Sequence, residues 1–242
     1  MDVAVSGLSD IGRVRSRNED SFVVLEEESL FVVADGMGGH GNGDVASKIA
    51  VEAVRECYAE TSDETAGEYA IAERLQKAFV HAHDRIRAAG DRDNSLRGMG
   101  TTLIAVVIDE DSAVIGHVGD SRAYALRGST LTQLTEDHSW VREQVVAGHL
   151  SAEQAREHPF KSVVTRALGG EQEIEVDLRR VRLQDGDLLV LCSDGLTTML
   201  TDNEIAGLLT EGGPISDRAG RLIAAANAQG GADNITVVLL EI

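Results

Sequence analysis

Apolar and polar residues follow two rhythms along this chain. Short runs rich in β-branched residues read as strands: DSFVVLEE (20–27), LFVVAD (30–35), TTLIAVVID (101–109), SAVIGHVGD (112–120) and RAYALR (122–127). LTQLT (131–135), EIEVDLRRV (173–181), DLLVLCSD (187–194) and NITVVLLEI (234–242) continue the series. The connections Glu26–Ser29, Asp109–Ser112 and Arg127–Thr130 are too tight for crossover helices, so neighbouring strands are expected to pair antiparallel. Four stretches carry the helical period instead. Val45, Ile49, Ala53 and Cys57 form one stripe; Ile71, Leu75, Phe79, Ala82 and Ile86 form a second, with Gly90 as its end. TDNEIAGLLT (201–210) opens on a capping box, Thr201 to Glu204, and ISDRAGRLIAAANA (215–228) follows. Residues 137–172 hold short helical pieces and no clear strand, and read as an irregular flap. Helix pairs alternating with antiparallel strand groups predict an α+β fold with sheets covered by helices.

Composition narrows the partners. The 242 residues carry 22 Lys and Arg against 41 Asp and Glu, a formal charge of -19. A nucleic-acid partner would want a basic face, and one Trp, three Tyr and four Phe provide few stacking platforms. With two Pro and no Ser-rich run there is no linker, so one domain over 1–242 is expected. Cys57 and Cys192 lie far apart with no CxxC, which suits a reducing, cytoplasmic setting. MDVAVSGLSDIG lacks the basic and apolar regions of a signal peptide, nothing follows ITVVLLEI, and no apolar run could span a bilayer; no membrane partner is expected.

One stretch invites a cofactor. FVVADGMGGHGNGDVAS contains Gly36, Gly38 and Gly41 in the G-x-G-x-x-G spacing, with Glu56 twenty residues after the first. A dinucleotide site needs a second parallel strand ending near that acid, but Glu56 falls inside a helical pattern that leads to another helix. A phosphate loop fails too, because Asn42 and Gly43 stand where Lys and Ser or Thr belong. DEDSA (109–113) is similar to the aspartyl-phosphate signature D-x-D-x-[TV] but ends in Ala113 and reads better as a hairpin turn. Cys192 has Thr198 where a cysteine phosphatase needs Arg, and reads as a buried strand residue. His81 and His83 read as surface and rim residues, and His117 as a satisfied core histidine.

A different pattern survives. Apolar runs end in aspartate three times, at Asp35, Asp120 and Asp194; Asp233 precedes a strand, and Glu19 and Asp20 precede another. Any single one is an ordinary turn acid. As a set they would repel one another unless cations neutralised them. The donors are all oxygen, which suits Mg²⁺ or Mn²⁺. Paired hard cations activate water for in-line attack on phosphorus, and Arg15 or Arg17 could grip the phosphate.

In these residues the chain resembles the PPM, or type-2C, metal-dependent serine/threonine protein phosphatases, and most of all their compact bacterial and cyanobacterial members. The resemblance runs in order through DIGRVRSRNEDSF, VVADGMGGH followed by AS, GMGTT, HVGDSRAY, LTEDHSWV, TRALGG, GDLLVLCSDGLT and GGADNITVV. It implies a four-layer α-β-β-α sandwich: two antiparallel sheets face to face, a helix pair outside each, and the flap at about 137–172 influencing substrate choice. It implies that Asp35 bridges two metals with the Gly36 carbonyl on the second, and that Asp194 and Asp233 bind the first. Asp120 with Asp194 would hold a weaker third ion, and Glu19 and Asp20 would act through water. Arg15 would bind phosphate and Arg17 would not. Metal-bridging water would then hydrolyse phosphoserine and phosphothreonine with no phospho-enzyme. The implied partners are phosphoproteins, a cognate kinase or signalling phosphoprotein among them, acted on by a monomer. Met37 stands where eukaryotic members carry a proposed acid, leaving His40 or a metal-bound water as the proton donor. Asp44 replaces a common Glu. Two other readings compete: a non-catalytic phosphoprotein-binding pseudophosphatase, and a metal-dependent nucleotide phosphohydrolase.

Overall fold

The computed structural model describes residues 3–38, 41–60 and 68–242. Eleven strands form two antiparallel sheets among these residues. The first contains β1 (Ala4–Asp10), β7 (Arg122–Arg127), β8 (Thr130–Gln133), β10 (Leu188–Cys192) and β11 (Ile235–Glu241), in the order β1-β11-β10-β7-β8. The second contains β2 (Asp20–Leu25), β3 (Leu30–Met37), β5 (Leu103–Asp109), β6 (Ser112–Val118) and β9 (Asp177–Arg182), in the order β2-β3-β5-β6-β9. The two-residue β4 (Gly100–Thr101) pairs with the end of β3. All three tight connections read from the sequence close antiparallel hairpins.

The period of two in each strand builds three apolar layers. On β3, Leu30, Val32 and Ala34 face helices α1 (Gly43–Glu60) and α2 (Glu68–Arg92), while Phe31 and Val33 face the other sheet. On β11, Ile235, Val237 and Leu239 face α5 (Asp194–Thr197), α6 (Asp202–Thr210) and α7 (Ile215–Ala228), while Val238 and Leu240 turn to the inter-sheet core. Helices, sheet, sheet, helices is the expected four-layer order. Burial on both faces explains why these strands are apolar nearly throughout.

Residues 137–172 carry α3 (Trp140–Val146), α4 (Ala152–Glu157) and two isolated bridges, Ser139 to Val164 and Thr101 to Leu168. Trp140, His158 and Phe160 pack ring to ring on the flap, with ring centroids 4.9–5.5 Å apart.

The expected elements need five corrections. β1 carries no clear strand pattern in the sequence, because Gly7 and two serines resemble turn chemistry; a Cβ on Gly7 would stand 2.5 Å from the Phe22 ring of the facing sheet, so the glycine is there for packing. The EIEVDLRRV strand starts at Asp177, because its partner β6 ends at Val118 and offers nothing to pair with Glu173–Val176. Gly90 does not end α2, which runs on to Arg92. The buried stripe of α1 is Ala46, Ala50, Ala53 and Val54, one step round from the predicted one, because small residues let the helix approach the sheet. His83 is buried, its Nδ1 accepting the Gly169 N–H at 3.2 Å, while its neighbour His81 is exposed as expected.

Candidate metal and phosphate site

At one end of the molecule the stripe that builds the inter-sheet core changes chemistry. Phe31 and Val33 lead to Asp35 on β3; Phe22 and Val24 lead back to Asp20 on β2. Leu189 and Leu191 lead to Ser193, and Val238 leads back to Thr236. The alternation that buries apolar side chains therefore carries polar ones into the same inter-sheet space. Asp20 and Asp35 are direct register partners, so their carboxylates share one face.

These strand ends line a cleft of about 260 Å³. Its walls include Asp35, Asp120, Asp194, Asp233, Glu19 and Arg15. Backbone of Gly36, Met37 and Gly38 completes one side, and Ser162 and Val164 reach it from the flap. Asp20 lies just behind, and its Oδ2 accepts the hydroxyls of Ser193 at 2.8 Å and Thr236 at 2.7 Å. Arg15 donates to Asp233 at 2.6 Å. Glu19 Oε1 accepts the Gly43 N–H at 3.2 Å, at the start of α1. The Asp35 N–H donates to Thr102 Oγ1, which pairs in turn with Ser121 at 2.7 Å.

The glycines have a packing role here. A Cβ on Gly36 would sit 2.0 Å from the Gly43 carbonyl oxygen, so α1 lies against the end of β3 with no room for a side chain. Glu56 pairs with Arg85 on α2 and is not a ribose ligand. Gly119 has φ +115°, and a Cβ there would stand 2.6 Å from Thr102; only glycine turns the chain this way before Asp120. His40 lies outside the described residues. Arg17 is exposed, as expected, and Asp44 pairs with Lys48 one helical turn on at 2.9 Å.

The electrostatics are those of a cation site. Burial, reinforced by Asp20, Asp194 and Asp120, pushes Asp35 well above the usual carboxylate range. Burial and neighbouring carboxylates raise Asp120 to about 8 and Asp194 to about 6. Burial also raises Asp20 to about 6 against the pull of its two hydroxyl donors. Buried Oδ1 atoms of Asp20 and Asp194 have no hydrogen-bond partner among the described residues. Carboxylates that raise one another's pKa and leave buried oxygens unpaired fit hard divalent cations.

One further cluster has metal-like spacing but the wrong proton. Ligand atoms of His117, His138 and Asp177 lie within 4.8 Å of one another. The Gly119 N–H donates to His138 Nδ1 at 3.0 Å, which puts the ring proton on Nε2. Nε2 then donates to Asp177 at 3.2 Å and has no lone pair to offer. His117 itself corrects the sequence expectation: it is buried, but neither ring nitrogen has a partner among the described residues.

The protein phosphatase 2C family profile matches residues 12–236, nearly the whole chain. The chain belongs to the protein phosphatase 2C family. It is 43% identical over 236 residues to the serine/threonine phosphatase stp of Listeria welshimeri, covering 96% of this chain and 93% of that one. The structure of the Streptococcus agalactiae serine/threonine phosphatase superposes with a TM-score of 0.94 at 38% identity, over 100% of both chains. The catalytic domain of the serine threonine protein phosphatase PstP, solved with 2 manganese ions, gives a TM-score of 0.88 at 36% identity over 99% of this chain and 97% of that one. The family's two-sheet fold and this chain's strand-end acids thus occur together.

Sequence reasoning missed the residues that orient the acids: Ser193, Thr236, Thr102 and Asn234. Asn234 Oδ1 accepts the Glu19 N–H at 2.8 Å, and its amide donates to the carbonyls of Ile11 and Arg17. Ser193 and Asn234 stand next to predicted acids in the sequence, but only the packing of the two sheets shows that they serve Asp20 and Glu19 instead.

Proposed function

We propose that this chain is a metal-dependent serine/threonine protein phosphatase whose catalytic centre is the strand-end cleft. The observation that carries the reading is the convergence of Asp35, Asp120, Asp194 and Asp233 from separate strand ends on one cleft that Arg15 also lines. Asp35 and the Gly36 carbonyl would hold two cations, with Asp194 and Asp233 completing the first. Asp120 and Asp194 would hold a weaker third, and Asp20 and Glu19 would act through water from behind. Mn²⁺ or Mg²⁺ supplies neutralising charge there and a water acidic enough to attack phosphorus in line.

The side chains have the remaining work. Ser193 and Thr236 hold one oxygen of Asp20 and leave the other, a buried one, without a partner among the described residues. Arg15, paired with Asp233 in the absence of substrate, exchanges that partner for a phosphoryl oxygen. Cys192 does not compete as nucleophile: it is buried in the helix-side core and burial pushes its thiol up to about 12. Asp109 sits in the turn at the far end of the β5–β6 hairpin, away from the cleft. Hydrolysis therefore proceeds without a phospho-enzyme. His40 remains the side-chain candidate for protonating the leaving seryl oxygen.

The substrates we infer are phosphoproteins, including a cognate serine/threonine kinase or a signalling phosphoprotein. We infer a monomer that works in the cytoplasm as one catalytic domain over 1–242; Cys192 is a buried thiol outside any disulfide, which agrees with a reducing compartment. The decisive assay follows turnover of a phosphothreonine peptide in Mn²⁺ and after addition of EDTA. Turnover is expected in the first and abolished in the second. Turnover unchanged by chelation overturns the reading.

A further inference from the structure

A second cavity of about 800 Å³ opens beside the cleft, beneath α3 and α4 of the flap. Asp120 and Asp194 belong to both walls, so the two spaces adjoin. Its floor is the sheet, with His117 on β6 and Arg179 on β9; its roof includes Arg156 and Lys161 of the flap.

The charges lining it sort into pairs and a remainder. Asp137 accepts three hydrogen bonds from Arg122, at 2.6, 2.8 and 3.0 Å, and one from Gln133 at 2.8 Å. Glu136 pairs with Arg142 at 3.1 Å. Asp177 is taken by His138 at 3.2 Å and Arg166 at 3.3 Å. Arg156, Lys161 and Arg179 make no ion pair among the described residues. Arg156 leans on the carbonyls of Thr197 and Leu200, Arg179 on that of Leu134, and the Arg156 charge reaches Glu204 only through space. Other cations, Arg13, Arg87 and Arg97 among them, also lack ion pairs among the described residues; what sets Arg156, Lys161 and Arg179 apart is that all three line one cavity. His117, 2% exposed and with its ring centroid 4.8 Å from that of His138, lines the same wall with no side-chain hydrogen bond among the described residues. A buried polar group without a partner is costly unless a ligand supplies one.

We propose that this cavity is a subsite for a second phosphorylated side chain of the same substrate polypeptide, held by Lys161, Arg179, Arg156 and His117. The inference rests on the phosphatase reading of the adjoining cleft. Contiguity with the cleft places the second group on the chain that carries the scissile phosphate. A phosphomonoester offers three acceptor oxygens and nearly two charges, which matches two guanidinium groups, an ammonium and a ring N–H better than a carboxylate does.

The test uses one peptide sequence with a single phosphothreonine, the same peptide with a second phosphoserine at increasing spacing, and versions with Glu at those positions. Release of the phosphothreonine phosphate is followed in Mn²⁺. At one spacing the doubly phosphorylated peptide is expected to show about tenfold higher kcat/KM than the singly phosphorylated one, mainly through KM, with the Glu version between them. In Lys161→Ala combined with Arg179→Ala, both exposed positions, that ratio is expected to fall to about one. Equal kcat/KM at every spacing, or a ratio that survives in the double variant, overturns the proposal. Absence of turnover on every peptide refutes the phosphatase reading instead. The subsite is then judged by calorimetric binding of the same peptides: the same order of affinity supports it and equal affinities overturn it.

Discussion

The cleft and the cavity share two aspartates and solve opposite electrostatic problems. In the cleft, carboxylates face one another and burial raises the pKa of Asp20, Asp35, Asp120 and Asp194, while one guanidinium reaches in. Across the shared wall Glu136, Asp137 and Asp177 each have a donor of their own, while Arg156, Lys161 and Arg179 make no ion pair among the described residues. The difference teaches that net charge says little about a site. A chain of charge -19 gathers its acids where cations are wanted and spends other acids on arginines, so that an anion can be received a few residues away.

Substitutions at the cleft should break the comparison hardest. Asp35→Asn is expected to cost on the order of 10³-fold in kcat, as for loss of a transition-state charge partner. It should also remove tight Mn²⁺ binding by calorimetry while raising the melting temperature of the metal-free protein, because it removes a carboxylate whose charged form burial and neighbouring acids disfavour. Retained tight binding would remove Asp35 from the bridging role. Arg15→Ala is expected to lower kcat/KM by about tenfold or more on phosphorylated substrates, the scale of a lost charge-assisted hydrogen bond. Unchanged kinetics on all of them would leave Arg15 as no more than the partner of Asp233.

The smallest expected effect is a pH dependence of stability. Asp20, Asp120 and Asp194 have folded-state pKa values raised to about 6, about 8 and about 6. The metal-free fold therefore binds more protons than the unfolded chain above the ordinary carboxylate pKa, and its stability falls as pH rises from about 4 toward 8. Melting of the EDTA-treated protein should be lower at pH 8 than at pH 5 by roughly 5 °C or more, and Mn²⁺ should restore more at pH 8. A metal-free melting temperature that rises with pH would show that the acids do not repel one another as the geometry requires.

Much of this was legible along the chain because it is short-range. Hairpins come from tight connections, the capping box at Thr201 and Glu204 from a spacing of three, and the strand-end aspartates from a boundary between apolar and turn residues. The G-x-G-x-x-G stretch could be cleared of a dinucleotide because the βαβ order was absent. The glycines' purpose, though, appears only when Gly43 is seen against Gly36. β1 escaped because Gly7 looks like a turn until Phe22 of the other sheet is beside it.

The sequence alone determined which residues form strands and helices, which acids stand at strand tips, and the family pattern that joins them, since period and capping act over a few residues. Only the tertiary structure decided what those acids meet. Asp20 is held by hydroxyls 173 and 216 residues away, His117 is buried against the His138 ring, and Arg156, Lys161 and Arg179 make no ion pair among the described residues. Hydrogen-bond satisfaction and charge pairing are properties of distance in space, and the packing of one sheet on the other brings together residues whose separation along the chain carries no signal.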